Sequence, residues 1–83
     1  MANPAQLLAE LQDAVKGVGP GGSLADKVGQ ALANLSGGDV PGACSTLTAF
    51  INEVNAQSGK TIPSSQAATL IASAQEIKTL LGC

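Results

Sequence analysis

Three breaks rich in glycine, "GVGPGGS" (17–23), "SGGD" (36–39) and "QSGK" (57–60), cut this chain into four apolar-periodic segments. No regular element runs through such breaks, because glycine maximises backbone entropy and proline removes a hydrogen-bond donor. Whatever the chain folds into must be built from four short pieces joined by tight connections.

Spacing decides what the pieces are. The first opens at Asn3-Pro4, an N-cap followed by proline at the first helical position, and Leu7, Leu11, Val15 and Val18 recur every three or four residues with Leu8 and Ala14 beside them. In the second, Ser23 reads as the N-cap and Asp26 as the acidic half of a capping box, ahead of a Leu24, Val28, Leu32, Leu35 stripe with Ala25 and Ala31. The third starts near Asp39, with Pro41 in its first turn, and places Ala43, Leu47, Phe50, Ile51 and Val54 on one face. The fourth carries Ala67, Leu70, Ile71, Ala74, Ile77 and Leu81, with Glu76 and Lys78 outward. There Gln66 reads as a cap partner and Ile62 as a hydrophobic staple.

Alanine supplies 14 of the 83 residues, whereas β-branched and aromatic residues are too few and scattered for a sheet. The expectation is an all-α, antiparallel up-and-down four-helix bundle over the single domain 1–83, with helices at about 4–17, 24–36, 40–57 and 64–81. Its core is expected to include Leu47, Phe50, Ile51, Val54, Leu70, Ile71 and Ile77. Phe50, the one aromatic residue, sits between Leu47 and Val54 on the stripe and reads as core, not as a ligand-stacking platform.

A chain this short has little core with which to offset its conformational entropy, so a covalent staple matters. Cys44 falls in the first turn of the third helix and Cys83 just past the fourth. In an antiparallel hairpin the third helix climbs roughly 20 Å after Cys44 and the fourth descends about 25 Å before Cys83, so the sulfurs meet. The competing reading is two unpaired thiols. The spacing excludes a redox Cys-x-x-Cys pair, and without histidine a zinc site has too few ligands. A bridge in turn favours an oxidising compartment.

Charge narrows the function classes. The net charge is −2, charged residues are 12% of the chain, and there is neither arginine nor a basic run, so no electrostatic footprint for nucleic acid is present. Glu10 and Asp13 interrupt the first apolar run, and Glu76 and Lys78 the last, so neither a signal peptide nor a membrane-inserting span is expected. That leaves a cytosolic chain or one cut from a longer exported precursor. The carboxylates are scattered, no histidine base exists and no nucleophile elbow is seen, so an enzyme and a cofactor are not expected. Ser23 fails as a phosphopantetheine site, because Gly22 stands where carrier proteins place aspartate. "GVGPGGS" fails as a phosphate loop, since no Gly-Lys-Ser/Thr follows. Asn52, Asn55, Gln66, Thr69 and Ser73 supply neutral donors and acceptors suited to carbohydrate or peptidoglycan, or simply a solvated low-charge surface.

The run "LANLSGGDVPGACSTLTAFINEVNAQSGKTIPSSQAATLIASAQEIKTLLGC" (32–83) resembles the FIMAH-type domain, a helical module at the C-terminal end of secreted and surface proteins of bacteria and archaea. "GD…AC…L…AFINEVNAQSGK" and "QA…LI…A…I…LGC" carry the resemblance, residues 3–31 fit less distinctively, and Pro41 and Pro63 replace the capping Thr or Ser common there. The resemblance implies an accessory domain of a larger extracellular protein, with Cys44 and Cys83 on the positions of its paired cysteines and no catalytic residue to carry over. The expected partner is therefore a neighbouring domain of the parent protein or a cell-surface or extracellular component. The alternative is a free-standing, membrane-active peptide of the bacteriocin type, which the 45% hydrophobic content allows and the acidic balance opposes.

Overall fold

Asn3 fixes where the chain first becomes helical: its Oδ1 accepts the Gln6 backbone N–H at 2.7 Å, and Pro4 follows at the position where a missing N–H costs nothing. In the computed structural model, which describes residues 3–19 and 21–83, helix α1 spans Pro4–Ala14, α2 Ser23–Ser36, α3 Val40–Gln57 and α4 Ser64–Leu81. Residues 1 and 2, and Pro20 within the first break, lie outside the described residues.

α1 stops three residues before the expected end at 17. Val15 has left the helical region (φ −98°, ψ 3°), and the chain tightens into a turn in which Lys16 N–H donates to the Asp13 carbonyl and Val18 N–H to that of Val15. Gly17 then takes a left-handed φ of +74°, which reverses the chain. Val18, expected on the helical stripe, is instead half-buried in the connection and packs against the core from there.

Two caps also differ from expectation. Ser23 is the first residue of α2 and not its cap; Gly22 holds the cap position without a side-chain bond, and no capping box with Asp26 forms. Pro63 caps α4 and makes no side-chain hydrogen bond, so Gln66 does not act as its partner. Asp39 does cap α3, its Oδ1 accepting the Gly42 N–H at 2.9 Å. A side chain at Gly42 would collide with that carboxylate, which explains glycine there.

The helices form a ring in which the backbone of α1 lies against α2, α2 against α3, α3 against α4 and α4 against α1, while the diagonal pairs stand further apart across the core. Extents of 34 × 22 × 19 Å fit helices of 18 residues, about 27 Å long, lying side by side. Neighbours run antiparallel. The start of α2 meets the end of α3 through Ser23 and Glu53, and its end meets the start of α3 through Asn34 and Thr46. At one end of the bundle the α1–α2 and α3–α4 connections converge: a Cβ on Gly19 would stand 3.1 Å from Leu24 Cδ1 and 3.7 Å from Ile62 Cδ1.

Leu8, Leu11, Val15, Leu24, Val28, Ala31, Leu47, Phe50, Val54, Ile62, Ala67, Leu70, Ala74 and Ile77 make one continuous core. Phe50 is its largest member and is fully buried. Of the expected core residues, Ile51 and Ile71 are only half-buried and flank the cluster. Ala43, Ala67 and Ala74 on the same two helices are buried in their stead, so the buried faces of α3 and α4 are centred on smaller side chains than the periodicity suggests.

Phe50→Ala should cost about 3–5 kcal/mol in urea unfolding, whereas Ile51→Ala should cost clearly less. Equal losses at the two positions would contradict the core assignment.

Candidate functional site

Gly82 determines what happens at the far end of the bundle. It closes α4 in the left-handed region (φ 82°), and the chain folds back so that Cys83 N–H donates to the Lys78 carbonyl at 2.9 Å. That reversal sets Cys83 against the first turn of α3, where the Cys44–Cys83 disulfide joins residues 39 apart in sequence with their Cα atoms 5.9 Å apart. Beside it, Lys78 Nζ donates to Thr48 Oγ1 at 2.8 Å, a second tie between the same two helices. Thr48, Ile51, Gln75, Lys78, Thr79 and Cys83 line a shallow, open depression along this seam.

The α2–α3 seam holds a side-chain network that local sequence reasoning misses. Lys27 Nζ lies 2.6 Å from Glu53 Oε1, Ser23 Oγ donates to the same oxygen at 2.9 Å, and Lys27 also donates to Ser23 Oγ at 3.2 Å. The Glu53 side chain is only 18% exposed. The Lys27 ammonium, helped by the Ser23 hydroxyl and against the opposing effect of partial burial, holds the Glu53 carboxyl below its ordinary 4.5. Ser23 and Lys27 stand at i and i+4, a legible pair. Glu53 belongs to another helix, so only the tertiary fold reveals it. This group resembles a serine–lysine pair in composition, but its lysine is ion-paired with a carboxylate and so has no free base to offer.

α1 differs from the other helices. Among the described residues, no side-chain hydrogen bond or ion pair links it to another helix. Its bonds are internal: Gln6 to Asn3 and Glu10, and the exposed Lys16–Asp13 pair at 3.0 Å. Leu8, Leu11 and Val15 hold it by burial, and the Gln12 side chain packs against Gly29 of α2. Between α1 and α4 runs a groove of about 220 Å³ floored by Leu7, Leu11, Leu70 and Ile77. Ala14, Thr69, Ser73, Glu10 and Glu76 complete its lining.

The expected polar residues are therefore divided. Thr69 and Ser73 lie on the side of α4 that faces α1 and line this groove; Thr69 also bonds back to the Ser65 carbonyl at 3.2 Å. Asn52 and Asn55 are exposed on α3 and lie outside it, and Gln66 is half-buried near the start of α4. In the sequence Glu10 reads as a charge interrupting the first apolar run and Glu76 as an outward charge on the last; the groove they share joins the first and last helices. Among the described residues no three His, Cys, Asp or Glu side chains cluster to hold a metal ion, and no helix is long and apolar enough to cross a membrane.

Compared with protein-family models, with curated proteins and with solved structures, the chain matches none.

The Glu53 network sets a pH dependence. Because the folded pKa lies below the unfolded value, its contribution is complete above pH 4.5 and is lost as pH falls through the folded value. Glu53→Gln should lower stability by about 1 kcal/mol at pH 7 and flatten the loss on acidification in urea titrations run at stepped pH. A variant as acid-sensitive as the parent chain would remove the network from the account.

Proposed function

We propose that this chain is a non-catalytic extracellular accessory module, carried by a secreted or surface protein and acting by interaction with a neighbouring domain or an extracellular component. The observation that carries the reading is the disulfide between the start of α3 and the end of α4. Disulfides of this kind persist in oxidising compartments, and small secreted domains use them to supplement a limited core. The resemblance of residues 32–83 to the FIMAH-type domain supports the same reading, with Cys44 and Cys83 on the paired positions.

Attachment fits the surface better than chemistry does. Outside the Ser23–Lys27–Glu53 network the remaining carboxylates occupy a cap, an exposed pair or helix surfaces. The groove between α1 and α4 is apolar-floored with a few polar groups, as recognition sites are. The accessory role then consists of presenting a short, covalently locked bundle whose α3–α4 hairpin resists unfolding outside the cell.

Expression with and without an export signal tests this. Exported protein should gain the mass of two hydrogens on reduction and should bind at least one of three partners: cell walls, polysaccharide or the parent protein's adjacent domain. Reduced protein should lose about 4 kcal/mol of stability, as expected for opening a loop of this length. A reduced chain as stable as the oxidised one, or exported protein whose mass does not change, would overturn the reading. Dye release from anionic vesicles would replace it with a membrane-active one.

A further inference from the structure

We propose that the α1–α4 groove is the module's docking site, and that its occupant is a protein segment presenting leucine-sized side chains flanked by lysine or arginine. This rests on the interaction reading above and names the partner's chemistry. Three observations point to it.

The first is shape and polarity. Leu7, Leu11, Leu70 and Ile77 leave a recess of about 220 Å³ open to solvent. That is below the roughly 300–1,000 Å³ typical of a pocket for a drug-sized molecule and suits a pair of aliphatic side chains. The second is charge. Glu10 on α1 and Glu76 on α4 line the same groove, and among the described residues neither makes an ion pair. Two of the chain's four lysines are already engaged with carboxylates, Lys16 with Asp13 and Lys27 with Glu53, and Lys78 bonds to Thr48 on the opposite seam. An apolar floor with a carboxylate on each wall, neither of them neutralised by a lysine among the described residues, is complementary to a cationic, apolar segment, and repels an acidic one. The third is the wall itself. α2, α3 and α4 are tied by the Ser23–Lys27–Glu53 group, by Asn34–Thr46, by Lys78–Thr48 and by the disulfide, whereas α1 has no such tie. A wall held by packing, with the Gln12 side chain resting on Gly29 of α2 but no hydrogen bond or ion pair to another helix among the described residues, can shift outward to admit side chains and close over them at low cost.

The arrangement is a helix-in-groove recognition mode with Thr69 and Ser73 as further, neutral polar groups of the lining. Electrostatic attraction across such a rim speeds encounter and weakens with salt.

The test uses the oxidised chain and three capped 14-residue amphipathic peptides with leucine on one face and lysine, glutamine or glutamate on the other. In two-dimensional NMR titrations the leucine–lysine peptide should shift Leu7, Leu11, Thr69, Ser73 and Ile77. It should bind at least about fivefold more tightly than the glutamine peptide, as two exposed ion pairs allow. Glu10→Gln combined with Glu76→Gln should remove that preference, while Asp26→Asn, which deletes one exposed charge on α2, should keep it. Circular dichroism confirms that each variant is folded. Shifts centred outside the groove, equal affinity for the three peptides, or an unchanged preference in the double variant would overturn the inference. Failure here with the disulfide and extracellular binding intact would remove only the groove; failure of those two would remove the parent reading. Binding to anionic vesicles that bypasses Glu10 and Glu76 would likewise count against a peptide partner.

Discussion

The covalent bond between Cys44 and Cys83 is the constraint on which the rest of the molecule leans. It closes the α3–α4 hairpin at the end remote from its connecting loop, so that the hairpin is held at both ends. In an 83-residue chain with a single aromatic residue, the core has no large reserve, and narrowing the unfolded ensemble is the most economical way to raise stability. The placement is local physics as much as chemistry: a left-handed glycine at 82 turns Cys83 back along α4, toward the first turn of α3 that the Asp39 cap has fixed.

Cross-links beyond the disulfide are unevenly distributed. The α2–α3 seam carries a carboxylate shared by Lys27 and Ser23 at one end and an Asn34–Thr46 bond at the other; the α3–α4 seam carries the disulfide and Lys78–Thr48. α1 and the Val15 that follows it bring buried apolar side chains and Gln12 packed on Gly29, with no hydrogen bond or ion pair to another helix among the described residues. Hydrophobic contact is strong but non-directional, whereas a hydrogen-bonded or covalent tie specifies register. The molecule therefore consists of a three-helix block with fixed register and a fourth helix laid against it, leaving an open groove where the first and last helices close the ring.

How much of this was legible in the sequence depends on whether a feature is local. Four helices, the Asn3 cap, the start of the third helix near Asp39 and the buried Phe50 follow from periodicity and punctuation, and the cysteine pair follows from the antiparallel geometry those helices impose. The end of α1 is not legible because Val15 and Val18 keep apolar spacing after the backbone has turned. Ser23 misleads for a related reason: a serine after glycines looks like a cap, yet its hydroxyl is drawn to Glu53, thirty residues away. Ile51 and Ile71 flank the core while the smaller Ala67 and Ala74 lie within it, because the exact facing of a helix is set by its neighbours and not by hydrophobicity alone. The groove joins residues from opposite ends of the chain, and no window on the sequence contains both walls.

Native-state hydrogen exchange on the oxidised protein tests the account most directly, since it reads the opening free energy of each helix separately. Amides of α1 should exchange by an opening clearly less costly than the one that exposes α2, α3 and α4, which should share a common, higher value. Protection of α1 equal to or above that of the α3–α4 hairpin would contradict the division into a tied block and a loosely held helix.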